Sequence, residues 1–371
     1  MPHMDKQMGS FFLTTKCNLR CTYCYNSKER AIMKEQFLPL HIAKAGVDYF
    51  FATNKSRHIR FYGPGEPTQA FELMKNIVEY AKTKSDIVTT ELQTNGCFSP
   101  RVREWLLNNL NIIWISFDGE PNIQNRNRPC ANGKPSSPII EKNVKWLIEN
   151  KGNRNINVGA RVTMTNDNIT RQKEIVAYFQ ALGIRHIWTD PLFPSVDNIP
   201  VCEDKLKCKN YYFDMNTYLN NYIEAYDYAK KAGIFYGSFL SCNFDGACNV
   251  HCRACTPVPH FTTDGYISAC DMVTFGENAH HMDCFVYGKW NERTQKFDID
   301  EEKVKVLKSR TIDNMPQCSN CIAKEHCGGY CLGEVMNETG NLFGQKKQVC
   351  KAIRALYKEF GEYPQFDFLH P

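Results

Sequence analysis

Cys17, Cys21 and Cys24 stand within eight residues of one another, spaced Cys-x3-Cys-x2-Cys, just after the apolar run Phe11-Phe12-Leu13. Three thiolates on one short loop behind a first β-strand can face one metal centre. A mononuclear zinc site or a fully ligated cubane asks for a fourth ligand nearby, and the next cysteine, Cys97, is far along the chain. Thiolates are the usual ligands of iron–sulfur clusters, and a cubane held by only three leaves one iron open to a small molecule. That is a catalytic arrangement. The competing reading is a structural zinc loop closed by a distant residue, but zinc sites usually join two Cys-x2-Cys or Cys/His pairs.

A second concentration of thiols runs from Cys242 to Cys350. Cys255 is followed by the hairpin-like turn Thr263-Asp264-Gly265-Tyr266 and then by Cys270. Next come Cys318-x2-Cys321-x5-Cys327-x3-Cys331 and finally Cys350. Ligand identity alone leaves iron–sulfur and two zinc-ribbon sites both open for this series.

Eighteen cysteines in 371 residues demand an explanation. Secreted disulfide frameworks belong mainly to small domains with poor cores, whereas 43% of this chain is apolar, enough for a large domain and a smaller one. Met1-Pro2-His3-Met4-Asp5-Lys6 leads into no long apolar stretch, so no signal peptide is expected. No run of roughly twenty apolar residues predicts a membrane span. The net charge of +5 is spread among intermixed acids and bases, which argues against a dedicated nucleic-acid protein. A cytoplasmic metal protein is the better account of the thiols.

The elements that must carry these residues alternate. Helical apolar spacing over 38–51 precedes a short strand at 58–62, and a helix over 70–82 precedes a β-rich run at 87–92. A helix near 100–108 leads to a strand at 112–117. Another helix over 139–149 leads to a strand at 157–163, and a helix over 171–182 leads to a strand at 184–189. Alternation of this kind predicts a parallel sheet, and about six units suggest an α/β fold built as a partial (β/α)6 barrel over 1–190. Polar motifs recur just after the strands: the thiols, Gly63-Pro64-Gly65-Glu66-Pro67, Gln93-Thr94-Asn95-Gly96 and Ser116-Phe117-Asp118-Gly119. Strand C-terminal ends carry the active site in parallel barrels, so the motifs are expected at one mouth. Prolines at 191, 194 and 200 then open a connecting helical region over 191–241. Its helix carries Tyr212, Tyr218, Tyr222, Tyr226 and Tyr228, read as core packing rather than a peptide groove. Cys97, Cys130, Cys202, Cys208 and Cys284 are given no role.

With the aromatic Tyr23 before its last cysteine, the triplet resembles the signature of the radical S-adenosylmethionine (SAM) enzymes. The resemblance implies that Cys17, Cys21 and Cys24 hold a [4Fe-4S] cluster whose open iron binds S-adenosylmethionine. It assigns Gly63, Gly65 and Glu66 to the neighbourhood of that ligand's amino group, although Gly63-Pro64-Gly65 departs from the more usual double glycine. Asn95, Ser116 and Asp118 stand where ribose and methionyl groups receive hydrogen bonds, and Arg161 is placed to meet a carboxylate. One-electron cleavage of the sulfonium would give methionine and a 5′-deoxyadenosyl radical that takes hydrogen from an unactivated carbon.

The later cysteines, over 242–371, are similar to the SPASM extension of such enzymes, which implies two auxiliary [4Fe-4S] clusters and three in all. The nearer would use Cys255, Cys270 and Cys331, with Cys252, Cys248 or Cys242 as the fourth ligand and Cys252 preferred. The farther would use Cys318, Cys321, Cys327 and Cys350. Asp271, directly after Cys270, matches the aspartate that takes the substrate's proton in sulfatase maturases; a carboxylate beside a cluster is a plausible base, and an acid after a ligand is also a common turn former.

Enzymes with this extension mostly modify peptides and proteins, and Ser116–Pro121 with Asn127-Arg128-Pro129 looks most like the ribosomal-peptide maturases. The expectation is therefore a maturase that installs a thioether or carbon–carbon crosslink in a precursor peptide, fed by an electron donor such as flavodoxin or ferredoxin. A leader-recognition domain before the first strand is expected to be missing. The alternatives are an anaerobic sulfatase maturase making formylglycine, and a non-catalytic iron–sulfur or zinc protein.

Overall fold

A computed structural model describes residues 7–26, 34–192, 214–277 and 279–362. The strand β1 (Gly9–Phe12) is buried along its whole length. Gly9 leaves room for a helix to lie on it: a Cβ there would stand 2.9 Å from the ring of Phe50 on α1 (Leu40–Thr53). The chain then repeats the unit. β2 (His58–Tyr62), α2 (Phe71–Lys84), β3 (Thr89–Thr94), α3 (Pro100–Asn109), β4 (Ile112–Ser116), α4 (Pro121–Asn127), α5 (Ser137–Asn150) and β5 (Asn157–Met164) follow in order. They lead to α6 (Gln172–Ala181), β6 (His186–Pro191), α7 (Met215–Lys231) and β7 (Phe235–Ser238). Strands β1 to β7 are hydrogen-bonded neighbours, all parallel.

Strand alternation sorts the side chains into two layers. Ile113 and Ile115 of β4 join the main core under the helices, while Trp114 between them faces the other way and packs with Trp188 and Cys242. Each tryptophan lies over a glycine on the next strand. A Cβ at Gly159 would sit 2.6 Å from the Trp114 ring, and one at Gly237 would sit 2.6 Å from Trp188. The register pairs these same residues, Trp114 with Gly159 and Trp188 with Gly237. Large rings facing missing side chains fill the concave side of an open barrel.

Two expectations need correction. The β-rich run at 87–92 begins as strand only at Thr89, because Ile87 is 74% exposed and pairing starts at His58 with Thr89. The segment 191–241 also does more than connect: its helix α7 packs on the sheet and returns as β7 beside β6. Tyr218 and Tyr222 of α7 are fully buried, as a packing stripe requires. Tyr212, Cys202 and Cys208 lie outside the described residues.

The cysteine-rich tail shares the same sheet. β8 (His260–Phe261) lies parallel beside β1, and β9 (Tyr266–Ser268), β10 (Val286–Asn291) and β11 (Lys296–Ile299) continue it in antiparallel fashion. The β8–β9 hairpin turns on Gly265, whose φ of +82° suits glycine. Helices α8 (Glu301–Ser309), α9 (Lys324–Cys327), α10 (Leu332–Thr339) and α11 (Lys347–Phe360) complete the tail. Among the described residues no helix is long and apolar enough to cross a membrane.

Candidate active site

The loop after β1 is pinned on two sides. Its amides at Arg20 and Thr22 donate to the carbonyls of Pro129 and Asn127, each at 2.8 Å, and Asn18 Nδ2 donates to the Cys97 carbonyl at 2.7 Å. The segment behind α4 thus holds the triplet against the end of β3. Cys17, Cys21 and Cys24 all line a cavity of about 320 Å³ at the C-terminal ends of the parallel strands. Burial pushes the Cys21 thiol up to about 12, against the pull of the Arg128 guanidinium. Such a thiol becomes a thiolate when it gains a metal.

Gly63, Gly65, Glu66, Asn95, Ser116 and Arg161 also line this cavity, as does Tyr23. Their contacts refine the roles expected of them. A Cβ on Gly65 would lie 2.4 Å from the Lys16 carbonyl oxygen and 2.5 Å from that of Thr14, so the close approach is to the chain's own backbone. Glu66 is fully committed: its Oε1 accepts from Thr68 N (3.0 Å), Thr68 Oγ1 (2.7 Å) and Thr94 Oγ1 (2.7 Å), and its Oε2 from Asn95 N (2.7 Å). Burial raises its carboxyl, and these donors oppose the rise. Asn95 Nδ2 donates to Asn18 Oδ1 at 2.7 Å and lies 3.9 Å from the Cys17 sulfur. Asp118 stands behind the wall, fully buried, accepting from the Tyr23 hydroxyl (2.8 Å) and from Thr163 N (3.2 Å). The bond ties Tyr23, which stands between the last two cysteines, to this buried carboxylate. The Arg161 fork is occupied by Gln93 Oε1 (2.8 Å) and Asp190 Oδ2 (2.6 Å). Its Nε, like that of Arg128, is buried without a partner.

Cys242, Cys252, Cys270, Cys331 and Asp271 line the same cavity. The Cys255 amide donates to the Cys252 carbonyl at 3.2 Å and its thiol holds that of Cys252 down, while burial and then neighbouring charges, Cys252 and Cys270 among them, push Cys331 up. Gly333 makes this convergence possible, because a Cβ there would lie 2.9 Å from the Cys270 sulfur. Cys248 is buried apart from this set, with its amide on the Glu325 carbonyl, and Cys242 faces His251 at 3.8 Å. Cys318, Cys321, Cys327 and Cys350 line a second, small cavity of about 20 Å³. Among the described residues no three His, Cys, Asp or Glu side chains converge tightly enough for a single metal ion. Each thiolate of a cubane binds its own iron, so its ligands stand farther apart than those of one ion. The donor set and the two orphaned arginine nitrogens fit a cluster with an anionic ligand at the first site.

Asp271 reaches the cavity with 41% of its side chain exposed, held from behind by Arg60 and His260. The buried Arg60 guanidinium pairs with it and also donates to Ser10 Oγ at 3.1 Å, and His260 Nε2 lies 2.8 Å away. Burial would raise the Asp271 carboxyl, but Arg60 and then His260 outweigh it and hold it far below the usual carboxylate range. Sequence reasoning gave no role to Arg60, His260 and the Tyr25–Tyr62 hydroxyl pair (2.5 Å), all lining this cavity. An arginine in the centre of the strand His-Ile-Arg-Phe-Tyr was a usable signal, since buried arginine demands a partner.

Comparison with known proteins agrees with this geometry. Residues 11–188 match the family model of the Radical SAM superfamily. The radical SAM cyclopropyl synthase TigE of Paramaledivibacter caminithermalis is 23% identical over 94% of this chain and 73% of its own length. The cysteine-type anaerobic sulfatase-maturating enzyme of Clostridium novyi is 24% identical over 86% of this chain and 85% of its own length. Among solved structures, native anSMEcpe with bound AdoMet and Kp18Cys peptide superposes with a TM-score of 0.71 at 17% identity, over 95% of this chain and 97% of that one. SuiB of Streptococcus suis bound to its precursor peptide SuiA does so with 0.65 at 14% identity, over 93% and 76%. At such identities these structures speak for the fold.

Proposed function

The chain carries a radical SAM domain and is an enzyme related to peptide and sulfatase maturases; from that premise we propose that it abstracts hydrogen from a ribosomally made precursor peptide and installs a crosslink. One observation carries the reading. The triplet Cys17, Cys21 and Cys24 and the thiols of Cys252, Cys270 and Cys331 line a single cavity. A substrate segment placed there meets both a hydrogen-abstracting site and an electron acceptor.

The cluster and S-adenosylmethionine together would supply a 5′-deoxyadenosyl radical, and the chain's residues supply its setting. Cys17, Cys21 and Cys24 hold the first cluster; Asn95 steadies Cys17 and Asp118 fixes Tyr23 beside it. Ser116 and the free Nε positions of Arg128 and Arg161 offer hydrogen bonds to the ligand. The surrounding wall excludes water from the reacting carbon. Cys252, Cys255, Cys270 and Cys331 are assigned to the nearer auxiliary cluster, supported by their mutual contacts. Cys318, Cys321, Cys327 and Cys350 are assigned to the farther one, supported by their shared cavity. These assignments make the tail a SPASM domain.

The sulfatase-maturase reading keeps one specific support, the carboxylate of Asp271 beside Cys270. As built, that carboxylate is a fixed negative charge tied to Arg60 and His260, and serving as a base requires it to leave one of them. The test is anaerobic reconstitution with reductant and S-adenosylmethionine. The proposal expects about twelve irons per chain, 5′-deoxyadenosine, and a precursor peptide lighter by hydrogen pairs. An aldehyde on a sulfatase-derived Cys or Ser peptide selects the second reading. Bound zinc, little iron and no 5′-deoxyadenosine reject both.

A further inference from the structure

Arg310 follows α8 and is completely buried. Its guanidinium donates only to backbone carbonyls: Nε to Leu342 (3.0 Å), and the two terminal nitrogens to Gly328 (2.8 Å) and Gly329 (2.6 Å). Among the described residues no carboxylate pairs with it. A buried cation without an anion is costly, and carbonyl dipoles compensate it only in part.

Its place in the chain shows what the missing anion is. Gly328, Gly329 and Tyr330 are the whole link between Cys327 of the farther set and Cys331 of the nearer one. Both glycines have left-handed φ, +57° and +85°, and a Cβ on Gly329 would lie 2.1 Å from the Arg310 terminal nitrogen. The link is therefore shaped around the guanidinium. Its charge also reaches Cys252 and Cys255 on one side and Cys318 on the other. Lys324 and Arg354 add positive charge near Cys318, but both are partly exposed and open to solvent screening.

We propose that Arg310 is the fixed internal counter-charge of both auxiliary cysteine sets, holding the peptide that bridges them and making reduction of the clusters there easier. The inference rests on the reading that these two sets hold clusters. A cubane with four thiolates is anionic and gains a further negative charge on one-electron reduction. Net charge and hydrogen bonding are recognised controls of such potentials, and a desolvated guanidinium a short way from the sulfurs favours the reduced form. Arg310 is thus a positioning and tuning residue that touches no substrate.

The experiment uses the full chain with Cys17, Cys21 and Cys24 replaced by alanine, so that only auxiliary clusters remain. Iron and sulfide are determined, and reduction is followed by electron paramagnetic resonance in a dithionite titration, for Arg310 intact, Arg310→Lys and Arg310→Gln. We expect Arg310→Gln to make reduction at least tenfold less favourable, which for one electron is 59 mV, while Arg310→Lys stays close to the parent. Loss of iron in Arg310→Gln but not in Arg310→Lys also supports the proposal, since charge is then required for assembly. Unshifted potentials in both variants overturn it. Equal loss of iron in both overturns it as well, because hydrogen-bond geometry alone would explain that result. If the parent itself binds no auxiliary iron, the cluster reading fails, and the counter-charge role falls with it.

Discussion

Replacing Asp271 by asparagine removes the carboxylate ion-paired with Arg60. Stripping a buried arginine of its partner ordinarily costs ~3–5 kcal/mol, but Asp271 is 41% exposed to the cavity and partly screened, so we expect about 1–3 kcal/mol. Adding Arg60→Met should recover part of the loss. A double-mutant cycle on thermal unfolding checks this, and strictly additive effects would show that the pair is not coupled. Gly65→Ala should be worse than its size suggests, because its Cβ would collide with two backbone carbonyls of the cluster loop. The expected outcome is a loss of ~1–3 kcal/mol and of iron at the first site, read by protein unfolding and iron analysis. The cysteines and the glycine–glutamate turn can be read along the chain because their spacing is local. The partners of Asp271 cannot: Arg60 comes from β2 and His260 from β8, and they meet only once both strands flank β1. The commitment of Glu66 and Asp118 to the chain's own donors is hidden from sequence for the same reason.

The strands were legible from their apolar runs, and their ends from the motifs that follow them. What periodicity could not show is which face of β4 looks inward, because both faces are buried. The glycines decide it. Gly159→Ala puts a methyl group into the Trp114 ring, and Gly237→Ala does the same to Trp188. Each should destabilise by ~1–3 kcal/mol through overpacking, visible as a lower unfolding temperature. Trp114→Leu combined with Gly159→Ala should recover more stability than Trp114→Leu does alone in the parent background. Failure of that rescue would mean that ring and glycine do not share the space. The same strand pairing explains why the strand within 191–241 is not legible in the sequence. β7 is only four residues long, and its Phe-Tyr-Gly-Ser sequence reads as a turn until Trp188 is placed opposite its glycine.

Removing iron tests how the two ends of the chain depend on the thiols. Metal affinity for such sites is folding free energy, and the tail has short helices and strands of as few as two residues around its cysteines. Chelation under reducing conditions should therefore expose 242–362 to protease before the strands of 9–191, although one continuous apolar core runs through both. Simultaneous digestion of both regions would contradict this. The sharing of one sheet was beyond sequence reading, since β8 has only two residues and its partner β1 lies some 250 positions earlier. That junction has a mechanical consequence. The triplet loop leaves β1 and Cys270 follows β9, with β8 between them, so both parts of the cavity wall are rooted in one hydrogen-bonded lattice, two rows apart. At ~4.8 Å per row, strand spacing rather than a linker sets the distance between those roots. The cavity is a caliper whose two arms share one frame.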